Sequence, residues 1–568
     1  MGPLGLKLPS RAGAAGHLLL LLLLAATVWL AATAAPRQAP APGAETTNWL
    51  AAHSLAVDHD ELFADGDAAR FRAAFGASPR GVRTDPHGGR LEAPYLATRA
   101  WAWAIGFAGE RGPFLLNALG FALAAFAAVF ALRAALGAAA PWWLALLLFG
   151  SVAFTAVFRW QSETLVFAAV VLAGALIWGG GAPPAGRGAE QIYGGDLAAR
   201  AAVWPWPLAG LLVGAAAVRH PAYALTAIPM LLDLPRISGG AGGASRRGRN
   251  GRAALFVAAL VLPVAVVAAR GVAPWEAPAP SFDLALTGWN ALYFIAGRHA
   301  GVLVGFLPVV ALLLAPRPPG GRRYLPVVIA VAATGQLLMA PFDWAGDLSA
   351  VGNPWFLPFY GALLFCAGPT LSLRLALLVG VASAPVLVPF WLAPLSDGTH
   401  PPAALAAVTS GIRERLPFES SLREVPGSAE LVRAGVRLRS TGPALRPEQG
   451  RFELASPRAT VLVESDRRLA SVRLDFSASA PGTLTVEGGR SGSTTFRPSG
   501  EVAFEIALGS ATRRHPLWWS REPVSIYELE LALPPPGRMG AQDSAAAREP
   551  VTFDLGLARV AGPETGRP

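Results

Sequence analysis

The run Leu18–Ala35, LLLLLLLAATVWLAATAA, decides how this chain folds. It contains no charge, and about twenty apolar residues are needed to cross the hydrocarbon core of a bilayer. Ala32-Thr33-Ala34 also resembles a signal-peptide cleavage site. An uncleaved first helix is the preferred reading, because the run approaches spanning length. Lys7 and Arg11 precede it, so both readings place the segment that follows outside the cytoplasm.

Outward from that run the same pattern recurs. Apolar stretches lie near 113–132, 142–158, 164–179, 253–272, 300–316, 324–341, 355–368 and 374–394. The stretch 204–234 is interrupted at Arg219-His220-Pro221. Arginine-rich links at 235–252 and at Arg317, Arg322 and Arg323 belong on the cytoplasmic side, so 204–234 must be a hairpin. Roughly eleven crossings result. Residues 36–112 then form a long extracytoplasmic loop, with short helices expected at Asp65–Phe75 and Pro94–Phe107. The C-terminus also lies outside.

Composition agrees. The 568 residues are 53% hydrophobic and 15% charged, with a mean hydropathy of +0.43. A soluble chain would be about a quarter charged. The net charge of +10 resides mainly in links between apolar runs, which points to membrane orientation and away from nucleic acid. Cys366 is the single cysteine, which excludes an intrachain disulfide and a cysteine-based zinc site.

From about residue 396 the pattern changes. Thr460-Val-Leu-Val-Glu, Ser471-Val-Arg-Leu-Asp-Phe, Thr483-Leu-Thr-Val-Glu and Tyr527-Glu-Leu-Glu-Leu alternate with period two between Gly and Pro turns. That predicts an antiparallel β-sandwich. The expected architecture is therefore a polytopic α-helical membrane domain over 1–395 and an extracytoplasmic β-sandwich over 396–568.

This topology gathers polar residues on the outer side. They are Asp58, His59, Asp60 and Glu61 after the first helix, Glu92 before the second, and Arg159 and Glu163 between the third and fourth. Arg219 and His220 form the hairpin tip, and Asn290, Arg298, His299, Asp343, Asp347 and Asn353 precede later spans. Charges at membrane depth are costly and tend to be functional. The plainer reading of Glu163 is a surface pair with Arg159, worth little, while Arg219 could snorkel and Asp58 could cap a nearby helix.

The stretch Ser54-Leu-Ala-Val-Asp58-His-Asp60-Glu61 resembles the "SLxxDxDE" acidic motif of the GT-C superfamily of integral membrane glycosyltransferases. Gln161-Ser-Glu163-Thr, Gly210-Leu-Leu-Val-Gly214 running to Arg219-His-Pro, and Asn290-Ala-Leu-Tyr-Phe-Ile-Ala-Gly-Arg298-His add to the likeness. Gly352-Asn353-Pro-Trp-Phe-Leu-Pro-Phe-Tyr360 resembles the "GNRYFLPLYP" stretch of uncharacterised bacterial relatives of the family 39-like enzymes. The similarity covers roughly residues 18–395. Pro354-Trp355 departs from it, standing where those relatives have Arg-Tyr. If that arginine binds phosphate, its role here is lost or passes to Arg298 or Arg219.

The resemblance implies a multi-pass protein of a bacterial inner membrane, N-terminus cytoplasmic. It implies sugar transfer from a polyprenyl-phosphate donor to an extracytoplasmic glycan, lipid or protein acceptor. Such chemistry needs a cation for the phosphate leaving group and a base for the acceptor hydroxyl. Asp58, Asp60 and Glu61 are the catalytic candidates, with Glu61 ranked last. Arg219, His220, Arg298, His299, Glu163, Asn353 and Glu92 are the substrate-binding candidates. Three carboxylates so close together favour a shared proton or a divalent cation. Two other classes stay open: a lipid-linked glycan transporter, and a non-catalytic glycan-binding assembly protein. Trp518 and Trp519, beside Arg513, Arg514 and His515, read as a sugar-stacking patch, as sandwich core, or as an interfacial belt.

Overall fold

The computed structural model describes residues 11–395 apart from 41–42, 77–78, 80–81, 85–88, 180–203, 238–245, 271–283, 316–319, 347–351, 369–370 and 372. It also describes Leu416, Pro417 and Glu419, and thirteen strands between 430 and 560 with a few flanking residues. Asp347, Trp518, Trp519, Arg514 and His515 lie outside the described residues.

Among the described residues four helical stretches are long and apolar enough to cross a membrane: Gly13–Arg37, Tyr95–Arg133, Asn250–Ala269 and Arg374–Leu392. A fifth crossing arises if Gly137–Phe149 and Val152–Phe158, bent by 63° at their junction, count as one broken span. This is a polytopic helical membrane protein. The first helix runs from Arg11 to Thr33. Its two hydroxyls are satisfied on their own turns, Thr27 Oγ1 donating to Leu23 O at 2.8 Å and Thr33 Oγ1 to Trp29 O at 2.8 Å. Lipid offers such groups no other partner.

The remaining apolar stretches are less regular than their composition suggests. Residues 300–316 do not form one helix but Val302–Gly305 and Val309–Leu314, separated at Pro308. A proline there removes a backbone donor and breaks the turn. Residues 354–366 alternate between 3-10 and α turns. At the 63° bend the exposed backbone is repaired locally: Ser151 Oγ and Tyr360 Oη both donate to Leu147 O, at 2.7 and 2.5 Å. Trp391 Nε1 donates to Phe149 O at 2.7 Å. Broken helices are tolerated at membrane depth where such partners exist.

The expected interruption at Arg219-His220-Pro221 is real. Pro205–Arg219 ends there, a 3-10 turn covers Pro221–Thr226, and Ala227–Ile237 follows. Gly210 and Gly214, four residues apart, let the first arm lie directly on Arg246–Ala269. A Cβ at either glycine would overlap the carbonyl of Phe256 or Leu260. Small residues at that spacing allow close helix packing in lipid. Asp65–Phe75 and Tyr95–Ala108 form where the loop pattern predicts them.

In the C-terminal part every alternating segment quoted above lies within a strand. The strands form two antiparallel sheets. One has the order Glu430–Arg433, Val436–Thr441, Arg458–Ser465, Ser525–Ala532, Gly482–Glu487, Gly492–Phe496, with Thr512–Arg513 also pairing to Ser525–Ala532. The other is centred on Leu469–Ala478, which pairs with Gly500–Ala507, Val551–Leu555 and Arg559–Val560. The Tyr527 hydroxyl links the sheets, accepting from Leu469 N at 2.7 Å and donating to Leu469 O at 3.1 Å. Val461, Leu462 and Val463 are all buried, so this central strand is covered on both faces and its period-two contrast is weaker than expected.

Candidate functional site

Helix ends bring the polar groups together. Glu163 opens the helix Glu163–Trp178, where the helix dipole favours an acid, and Arg219 closes Pro205–Arg219, where it favours a base. The two side chains meet. Arg219 Nε donates to Glu163 Oε1 at 2.9 Å and to Ser162 Oγ at 2.8 Å, and Nη2 lies 2.8 Å from the same Oε1. Glu163 is therefore not the surface partner of Arg159. Its side chain is 8% accessible, while that of Arg219 is 38% accessible. The guanidinium is fixed on its carboxylate side and open on the other.

That open face borders a cavity of about 190 Å³ walled by Tyr95, Ala97, Ser162, Val166, Ala216 and Arg219, among others. Beyond Arg219 the break between the two helices carries an aromatic wall. His220 meets Trp355 edge-on at 5.8 Å, Tyr223 stacks on Trp355 at 6.4 Å, and the Tyr223 hydroxyl donates to Trp355 O at 3.0 Å. Trp355, the departure from the related stretch, is thus a buried packing element beside the arginine.

The opposite wall leads to the first-loop carboxylates. The Arg99 guanidinium lies 3.4 Å from the centre of the Tyr95 ring, and its Nη1 reaches Glu61 Oε1 at 2.6 Å. Arg90 holds the other Glu61 oxygen, with Nε donating at 3.0 Å. Asp58 pairs with Arg70, which also reaches buried Asp67 at 2.6 Å. Asp60 Oδ1 accepts from Ser54 Oγ at 2.7 Å and from Leu62 N at 3.1 Å. The three acids do not share a proton with one another: arginines on two later helices and on the link between them, with a serine, offset their repulsion. Among the described residues no group of three or more His, Cys, Asp or Glu is placed to hold a metal ion.

The remaining candidates have local duties. Asn353 is fully buried and caps a turn, its Oδ1 accepting from Phe356 N at 3.0 Å. Glu92 is exposed, its backbone N–H reaching Arg83 O at 3.0 Å. Arg298 and His299 sit in the turn after Leu284–Ala296. Arg298 N donates to Pro417 O at 2.9 Å, and His299 O accepts from Gly352 N at 2.7 Å. The amides of His299 and Ala300 donate to Glu419 Oε1 at 2.5 and 2.7 Å.

Sequence reading missed Arg70, Arg90, Arg99, Ser162 and Glu419. Arg99 had a signal, four residues after Tyr95 and so on the same helix face. Glu419 had none, since nothing in its neighbourhood suggests burial beside a membrane helix.

No protein-family model matches the chain, and no curated protein matches it. Among solved structures, it is similar to the crystal structure of ArnT from Cupriavidus metallidurans bound to undecaprenyl phosphate. The TM-score is 0.42 and the identity 13%, over 72% of this chain and 71% of that one. A superposition this loose decides neither fold nor chemistry, so the side chains must carry the reading of function.

Proposed function

We propose that this chain is a GT-C-like membrane glycosyltransferase that moves a sugar from a polyprenyl-phosphate donor to an extracytoplasmic acceptor. One observation carries the reading. Arg219 is fixed by Glu163 and Ser162 on one side and presents its other side to a cavity between apolar helices. A rigid guanidinium fork suits a phosphate leaving group, and a low-dielectric wall strengthens it. The acidic "SLxxDxDE" stretch supports the same reading, because its Glu61 network reaches the far wall of that cavity through Arg99 and Tyr95.

In this scheme Asp60, with Oδ2 free of protein partners among the described residues, takes the proton of the acceptor hydroxyl. Asp58, held by Arg70, orients the acceptor, and Glu61 keeps the loop closed on the cavity. The acceptor oxygen attacks the anomeric carbon. The bond from that carbon to the phosphate oxygen breaks, and polyprenyl phosphate leaves with the electron pair against Arg219, assisted by Arg298. His220, His299, Asn353 and Glu92 shape the surroundings. The topology belonging to this reading has eleven crossings, with loop 36–112 and a β-sandwich beyond residue 396 outside the cytoplasm.

The test is donor-dependent labelling. Membranes containing the full chain are given a radiolabelled polyprenyl-phosphate sugar, and label is sought on an acceptor. Label should appear with the native chain and fall by about 10²-fold or more in Arg219→Lys. Normal apparent donor affinity in both Arg219→Lys and Arg298→Lys would overturn the assignment of the phosphate.

A further inference from the structure

Nine described residues have a positive φ; eight are glycine and the ninth is His59, at φ 64°. There an L-residue brings its Cβ against the following carbonyl oxygen, a contact that glycine avoids. His59 follows the helix Ala44–Val57. Asp58 caps that helix, donating its N–H to Ser54 O at 2.7 Å, and His59 takes the left-handed turn that ends it. The reversal brings Asp60 back to the last turn of the helix, where its Oδ1 accepts from Ser54 Oγ at 2.7 Å. The backbone conformation of His59 therefore positions the candidate base.

The imidazole is not needed for that task, because glycine makes the same turn at less cost. Gly76 does so after Asp65–Phe75, at φ 68°. Nor does packing require the ring, since His59 is exposed. The acids on either side are committed to the protein, Asp58 to Arg70 and Asp60 to Ser54 and Leu62 N. An exposed ring on a strained backbone thus stands at the centre of the acidic stretch. Strain of this kind collects at active sites, where it is part of the mechanism. The ring also adds what its neighbours lack: ionised carboxylates only accept hydrogen bonds, whereas an imidazole N–H donates.

We infer that His59 is an acceptor-recognition residue, whose imidazole N–H donates to an oxygen of the acceptor beside the hydroxyl that Asp60 deprotonates. Histidine stands in a glycine position for the sake of that contact. The inference rests on the transferase reading above and adds to it the group that holds the acceptor.

The experiment compares the native full chain with His59→Gly and His59→Asn, using the same radiolabelled polyprenyl-phosphate sugar in membranes and thermal unfolding in detergent. His59→Gly should unfold at a higher temperature than the native chain, because the turn loses its steric cost. His59→Asn tolerates the left-handed turn but its side chain is shorter. Both variants should transfer label about 10-fold more slowly, equivalent to about 1.4 kcal/mol, with unchanged apparent donor affinity. A firmer but slower His59→Gly is the result that a purely structural histidine would not give. Native transfer rates in both variants would overturn the inference and leave the transferase reading intact. Weakened donor affinity would put His59 on the donor and overturn the acceptor contact. A His59→Gly chain that unfolds below the native temperature would show the ring to be holding the loop, which also overturns it. Native membranes that transfer no label would bring down the transferase reading itself, and this inference with it.

Discussion

The Arg219–Glu163 pair and the Asp58–Glu61 loop use the same two charge types in opposite ways. Glu163 is almost fully covered and holds an arginine whose free side faces a cavity. Asp58 and Asp60 are nearer water, the Asp58 side chain being 38% accessible and its partner Arg70 30%, while Glu61 at 14% lies between the two cases. Surface pairs of the second kind contribute about 0–1 kcal/mol. A pair of the first kind is costly to bury and costlier to break. The contrast separates two tasks. The deep pair fixes a cation where the medium makes its field strong, while the loop acids remain hydrated enough to exchange protons and to move.

Glu163→Gln tests that difference most severely, since it leaves Arg219 at depth without its counter-charge. Breaking a buried pair costs about 3–5 kcal/mol, and the partial exposure of Arg219 brings the expected loss to about 2–3 kcal/mol. Thermal unfolding in detergent should show it, with sugar transfer falling by about 10³-fold. A fully stable Glu163→Gln would mean that the pair is a surface contact after all.

Arg219→Lys keeps the charge and loses the planar fork. Stability should change little, because an ammonium still reaches Glu163, but transfer should fall by about 10²-fold or more. Asp58→Asn and Asp60→Asn should reverse the balance seen for Glu163. Each should lower transfer by about 10²-fold, the scale of general-base removal, while the unfolding midpoint stays within about 1 kcal/mol of native. Full activity in both asparagine variants would remove the loop from the reaction and leave it a structural cover.

How much of this was legible beforehand follows from the kind of signal each feature leaves. Leu18–Ala35 and the break at Arg219-His220-Pro221 were visible because hydropathy and proline act locally. The alternation of Thr483–Glu487 and Tyr527–Leu531 gave strands for the same reason. Pairings across the chain leave no such trace. Glu163 has Arg159 four residues before it, the obvious partner by spacing, yet it bonds Arg219 because two helix termini converge. Asp58, Asp60 and Glu61 look mutually repulsive side by side; Asp58 and Glu61 take Arg70, Arg90 and Arg99 from further along the chain, and Asp60 takes Ser54 from the helix before it. Pro308 warned of a break within 300–316, but composition alone favoured a continuous span. The position of Glu419 depends on its contact with a turn more than a hundred residues earlier, which no local pattern encodes.

The smallest expected effect lies at Glu419 and concerns pH. Burial raises the Glu419 carboxyl above its ordinary value, against the pull of the Ala300, His299 and Glu419 amides and of Arg298. The folded state therefore holds this proton to a higher pH than the unfolded chain does. The associated stability is fully present below the ordinary glutamate value of about 4.3 and is lost as pH rises through the raised folded value. Glu419→Gln carries no such proton. The unfolding midpoint of the native chain should therefore fall relative to that variant as pH rises above the ordinary glutamate range. Subtracting the variant's own profile removes titrations common to both chains. A difference that stays flat with pH would show the carboxylate to be ionised throughout, held by its amides as Glu163 is held by Arg219.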